Sequence, residues 1–170
     1  MPLRILPLLS VLAFAGAWPI ATAPAAEPAP APCIFCEIAA GRTNQPAREV
    51  YRDDLVVAFM DRAPRNPGHV LVVPIRHAEN ALDTPPATTA RLAVTAQKIA
   101  RAIRRTDLRA EGFNLQSNSG RAAGQTVFHF HVHVIPRFAG ETPAGAEKVA
   151  AAPADLEAAA AKIRAALVSP

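Results

Sequence analysis

From residue 33 onward the apolar positions fall into short runs with two different periods. "CIFCEIAAG" (33–41) reads as a short helix that Gly41 ends. "AREVYRD" (47–53) and "LVVAFMD" (55–61) read as two strands joined by a tight turn at Asp53 and Asp54. "RNPGH" (65–69) is a turn in which Pro67 presets φ and Gly68 tolerates a positive one. "HVLVVPI" (69–75) is almost wholly apolar, which predicts a strand buried on both faces. The strongest helical pattern covers 83–105: Leu92, Ala96, Ile99 and Ile103 form one stripe. Thr84 stands as its cap, with proline at the first helical position. "EGFNLQSNSG" (111–120) alternates, with Phe113 and Leu115 on one side and Asn114, Gln116 and Asn118 on the other. "TVFHFHVHVIPR" (126–137) reads as the last strand. A loose segment (140–154) leads to an alanine-rich helix at 155–168. There is no internal repeat. Strands arranged as hairpins around one long helix predict an α+β fold: an antiparallel sheet, one long helix and short terminal helices.

The N-terminal stretch has another character. Arg4 precedes the apolar run "ILPLLSVLAFAGAW", and small residues follow in "ATAPAAE", with cleavage expected after Ala23, Ala25 or Ala26. This order is that of a signal peptide, placed at 1–26. The apolar run is shorter than the ~20 residues of a membrane span. Export to the periplasm is the expectation, and an uncleaved N-terminal anchor is the alternative. A Pro/Ala linker (27–32) then leads to one globular domain (33–138) and a C-terminal tail (139–170). A hydrophobic content of 51% supports a real core. The net charge of +4 is spread thinly. Its one cluster, Arg101, Arg104, Arg105 and Arg109, suits a solvated helix face. No dense basic run is interleaved with aromatic residues, so a nucleic-acid platform is not indicated.

The chemistry concentrates in "FHFHVHVI" (128–135), which holds three of the chain's five histidines. On a strand His129, His131 and His133 share one face, while Phe128, Phe130, Val132 and Val134 face the core. A solvated face has no need of three imidazoles. They can bind a metal, or one can be a nucleophile or base that the others assist. Imidazole suits attack on phosphorus, since a pKa of ~6.5 leaves the free base present at neutral pH. Gln125 and Thr126 just ahead, with Asn114, Gln116 and Asn118 on the preceding strand, are neutral donors that favour a phosphate ester or amide. The pair Cys33 and Cys36 admits three readings: half a zinc site, a redox dithiol or a disulfide. Export favours oxidation.

Together, "CIFCEIAAG", "VYRDDLVVAFMD", "PGHVLVVPIRHAEN", "FNLQSNSG" and "AGQTVFHFHVHVIPR" resemble the histidine triad (HIT) family. The signature of that family, His-x-His-x-His followed by two apolar residues, is matched in full by "HFHVHVI". The resemblance implies that His131 is the nucleophile, attacking the α-phosphorus of a purine nucleotide conjugate to form a nucleotidyl-histidine that water hydrolyses. His133 and His69 would support phosphate and imidazole, Gln125 and Thr126 would flank the scissile bond, and Asn118 would contact phosphate or leaving group. Asp61 would accept from the ribose hydroxyls. A bacterial subset with C-x-x-C ahead of the core binds structural zinc, which here implies Cys33, Cys36, His77 and His129 as ligands. The resemblance also implies a homodimer joined through the long helix and a strand. The chain departs from the family in its signal-like extension, in Thr126 where serine is common, and in its alanine-rich end.

These readings point to a hydrolase of nucleoside phosphoramidates or related conjugates. The alternatives are a dinucleoside polyphosphate hydrolase, a zinc-stabilised nucleotide-binding module without turnover, and a periplasmic metal-binding protein.

Overall fold

The structure, a computed structural model, describes residues 32–43, 48–141 and 150–168. The stretch read as a signal peptide and nearly all of the expected linker lie outside these residues, as does most of the loose segment before the last helix. The elements are α1 (Ile34–Ala39), β1 (Glu49–Arg52), β2 (Val56–Met60), β3 (Val70–Pro74), α2 (Pro86–Arg104), β4 (Gly112–Gln116), β5 (Val132–Arg137) and α3 (Pro153–Val168). A single 3-10 turn spans Arg121–Ala123. The strands form one sheet in the order β1-β2-β3-β5-β4, and every pairing is antiparallel. The α+β architecture is the one expected.

The two central strands are buried along their whole length. Their side chains alternate between two apolar layers. Val56, Ala58, Met60, Val70 and Val72 pack with α2 and α3, whereas Val57, Phe59, Leu71 and Val73 pack with α1. The α2 stripe of Leu92, Ala96, Ile99 and Ile103 is wholly buried, as its spacing predicts. Helix α3 joins the same core through Leu156, Ala160 and Ile163. Leu156 and Ile163 each contribute about 1.5–3 kcal/mol relative to an exposed side chain. No described helix is long and apolar enough to cross a membrane.

Three expectations need correction. Helix α2 begins one residue later than predicted: its cap is Pro85 and its first residue Pro86. Thr84 makes no cap, because its hydroxyl donates to the Asn80 carbonyl at 2.8 Å. On β4, Phe113 packs against the core but Leu115 is 48% exposed. Leu115 lies outside the core cluster that takes in Phe113, at the end of an edge strand. The last strand is also shorter. β4 ends at Gln116, opposite His133, and the β3 pairing ends at Val132. Residues 126–131 therefore have no ladder partner. Their backbone turns instead, with His129 N–H donating to Val127 O at 2.9 Å and Phe130 N–H to Ala78 O at 2.7 Å. Only His133 lies on β5, and His129 and His131 precede it.

Candidate functional site

A cleft of about 1100 Å³ opens on the α1 side of the sheet. One wall is apolar: Ile34, Phe35 and Ile38 of α1 face Phe59 and Leu71. At the other end stand Gln116, Asn118, Thr126, His131 and His133. Asp61, which follows β2, lies on the rim with Arg62. The chain entering α3 closes one edge with Ala151 and Leu156, and Ala151 N–H donates to Arg62 O at 3.2 Å. Gly124 in the preceding loop takes φ +85°, a conformation that an L side chain rarely adopts.

The imidazoles are buried, and their backbone partners define which nitrogen carries the proton. His131 Nδ1 lies 2.7 Å from the His129 carbonyl. A carbonyl only accepts, so Nδ1 carries hydrogen and Nε2 keeps its lone pair. In His69, Nδ1 accepts from Arg65 N–H at 3.2 Å, so the proton sits on Nε2, which donates to His133 Nδ1 at 3.0 Å. His133 in turn carries its hydrogen on Nε2. Asp61 Oδ1 accepts from Ala63 N–H at 2.9 Å, and its other oxygen stands 3.6 Å from His69 Nδ1. Asp61, His69 and His133 thus lie together in a buried polar group, with His69 bonded to Arg65 N–H on one side and to His133 on the other. Sequence spacing put three imidazoles on one face; the fold sends them to three destinations.

The third destination is a cluster. Cys33, Cys36, His77 and His129 bring their ligand atoms within 4.8 Å of one another. Cys33 Sγ is 3.3 Å from His129 Nδ1, and Cys36 Sγ is 3.4 Å from both His77 Nδ1 and His129 Nδ1. The two Nδ1 atoms are 3.3 Å apart. A tetrahedral zinc with bonds of ~2.0–2.1 Å to nitrogen and ~2.3 Å to sulfur has donor–donor edges of about 3.3–3.8 Å. The cluster fits that set. His129 Nε2 donates to the Pro74 carbonyl at 2.9 Å, so Nδ1 offers its lone pair to the centre. Burial pushes the His129 imidazole below its usual range; the Pro74 carbonyl opposes this, and His77 and His131 add to it. Burial, followed by the neighbouring Cys33, pushes the Cys36 thiol up to about 11. A bound cation reverses that preference and expels the proton.

Of the residues singled out from sequence, Asp61, Asn118, Thr126, His131 and His133 line the cleft. Gln125 does not. Its amide is buried and committed to backbone: Oε1 accepts from Gly120 N–H at 2.7 Å, and Nε2 donates to Glu79 O at 2.6 Å and Val127 O at 3.0 Å. It clamps the loop rather than facing a ligand. His69 also stays out of the cleft and is joined to it only by its bond to His133. Sequence reasoning missed the apolar wall, although Ile34, Phe35 and Ile38 lie at helical spacing between and beyond the cysteines. It had no signal for Ala151 and Leu156, which reach the cleft only through tertiary docking.

The HIT domain family profile matches residues 42–140. An uncharacterized HIT-like protein of Mycobacterium tuberculosis is 47% identical over 105 residues, 62% of this chain and 71% of that protein. Adenylylsulfatase HINT3 of Arabidopsis thaliana is 37% identical over 105 residues, 62% of this chain and 52% of that one. Among solved structures, a Zn-bound histidine triad family protein from Mycobacterium smegmatis superposes with a TM-score of 0.71 at 40% identity, covering 79% of this chain and 92% of its own.

Proposed function

The chain belongs to the histidine triad family, and from that premise we propose that it is a nucleotidyl hydrolase acting on purine nucleoside 5′-phosphoramidates or related nucleotide conjugates. The observation that carries this is the 2.7 Å bond from His131 Nδ1 to the His129 carbonyl, in a residue that lines the cleft. It holds the tautomer whose Nε2 lone pair attacks phosphorus without a separate base. Attack forms a P–Nε2 bond and breaks the bond from phosphorus to the leaving group, which takes one proton from the site as it departs. Water then attacks the same phosphorus, the P–Nε2 bond breaks, and the nucleoside monophosphate leaves. The water's second proton returns to the site.

Donors around His131 match the charge that develops. His133 Nε2–H, Asn118 and Thr126 hold phosphate oxygens, a reading that their place in the cleft lining supports. Asp61 accepts from the ribose hydroxyls, and Phe35, Ile38 and Phe59 enclose the flat base. His69 and Gln125 are positioning residues, the first through His133 and the second through its loop. Cys33, Cys36, His77 and His129 hold zinc, a reading that the likeness to the Zn-bound mycobacterial protein supports. Four protein donors would fill its shell, so the metal would supply a structural cross-link. The one-sided β4, with half-exposed Leu115, supports the homodimer in which this strand and α2 meet a second copy. The N-terminal segment supports export of the mature domain, and cell fractionation tests it.

The activity test is release of AMP from adenosine 5′-phosphoramidate by the mature chain and by His131→Ala. Turnover by wild type with a loss of several orders of magnitude in the variant is the expected result. Equal turnover by both removes His131 as nucleophile. Binding of nucleotide without turnover by either makes the cleft a binding site alone. The name of the Arabidopsis relative makes adenosine 5′-phosphosulfate the second substrate to assay, since only the leaving group changes.

A further inference from the structure

We propose that the Cys33, Cys36, His77 and His129 cluster positions the nucleotide site: its cation fixes α1 against His131 and thereby sets nucleotide affinity. The inference rests on the nucleotide reading of the cleft. Helix α1 has six residues, far fewer than an isolated helix needs to hold in water. Its end is tied by Arg52, whose Nη1 donates to Ala39 O at 3.0 Å. Its start has no side-chain cap. There the sulfurs of Cys33 and Cys36 reach across to His129, and Cys36 also to His77. The same short helix presents Ile34, Phe35 and Ile38 to the cleft. Whatever holds the cysteines therefore also holds the apolar wall.

Phe35 makes the connection direct. Its ring stands edge-on to His129 at 5.9 Å and to His131 at 5.3 Å, and packs on Phe59 at 5.5 Å. It is wedged between a metal ligand and the nucleophile. His129 provides a second route. Its Nδ1 faces the cluster while its carbonyl accepts from His131 Nδ1–H. A displaced His129 therefore moves the acceptor that fixes the His131 tautomer.

Without a cation only weak hydrogen bonds join the cluster: the thiols meet His129 Nδ1 at 3.3 and 3.4 Å, and the two Nδ1 atoms are 3.3 Å apart. A cation between them would replace those weak contacts with four coordinate bonds. Thermodynamic linkage then makes the effect reciprocal: if metal tightens nucleotide by some factor, nucleotide tightens metal by the same one.

The experiment begins with zinc-loaded protein and titrates AMP calorimetrically. It repeats the titration after a chelator with reductant has removed the metal, with circular dichroism reporting the fold. AMP affinity should fall on the order of tenfold, within the usual span of such coupling, and return on adding zinc. Competition against a chelator should show zinc held tighter by the same factor in saturating AMP. His77→Ala, at an exposed ligand outside the cleft, should weaken AMP as metal removal does. Should the metal-free protein lose its fold, cobalt-loaded protein gives the answer, since AMP should shift its visible ligand-field bands. Equal AMP affinity with and without metal, or unmoved cobalt bands on AMP binding, overturns the inference and leaves the nucleotide reading standing. Failure of the loaded protein to bind AMP overturns the nucleotide reading, and this inference with it.

Discussion

Replacing Gln125 with alanine separates two roles that the residue type alone leaves open. The side chain is 2% exposed and makes three bonds to backbone, at 2.7, 2.6 and 3.0 Å. Each such bond contributes a net ~0.5–1.5 kcal/mol. Water reaches some of the released loop groups, so the lower half of the summed range applies, about 1.5–3 kcal/mol. For a chain of this size each kcal/mol is roughly 2–4 °C, giving a Tm lower by roughly 3–12 °C. AMP release should fall as well, because Asn118 and Thr126 sit on the clamped loop and Asn118 Nδ2 donates to Gly124 O at 3.4 Å. Gln125→Glu should be no milder: its carboxylate can still accept from Gly120 but turns an oxygen toward the Glu79 and Val127 carbonyls. Thermal melts and phosphoramidate turnover on the same preparations read both effects. A variant that loses activity while its Tm stays within about 1 °C of wild type would refute the clamp and return Gln125 to direct substrate contact.

Two further substitutions test the frame around the site. At Asp53, burial works against the charge. The N–H groups of Leu55 and Val56, the Tyr51 hydroxyl and Arg91 outweigh it and hold the carboxyl below its usual range. That stabilisation is present above the unfolded carboxyl pKa of ~3.9 and is lost as pH falls through the lower folded value. Asp53→Ala should cost about 1 kcal/mol at pH 7 and almost nothing at the acid end, read from urea midpoints across pH; a cost that does not change with pH would contradict the assignment. Gly68 takes φ +83°, and an added Cβ would stand 2.9 Å from Leu108 Cδ1 and 3.3 Å from Pro136 Cγ. Gly68→Ala should therefore destabilise by about 2 kcal/mol or more, and an unchanged melting curve would show that the turn adapts.

Local pattern carried a good part of this protein. The stripe on α2, the two-sided burial of β3 and the antiparallel hairpins follow from periods that any helix or strand must obey. The His-x-His-x-His spacing and the C-x-x-C pair picked out the residues that the cleft and the cluster gather, because few structural demands select imidazole three times or cysteine twice. What period cannot encode is the group that stands opposite. Cys33 meets His129 across 96 positions, and His69 meets His133 across 64. Those meetings give one histidine to the cysteine–histidine cluster, leave one in the cleft and tie one to His69. The strand stopped short of His131 because β4 ends opposite His133 and the β3 pairing ends at Val132, and Gln125 turned inward because three backbone groups needed it. Likewise, Leu156 reached the cleft edge only because α3 docks against α2 and the sheet. Sequence spacing determined which residue types share a side; tertiary packing decided the use of each, since burial leaves every polar atom only the partners that distant segments bring to it.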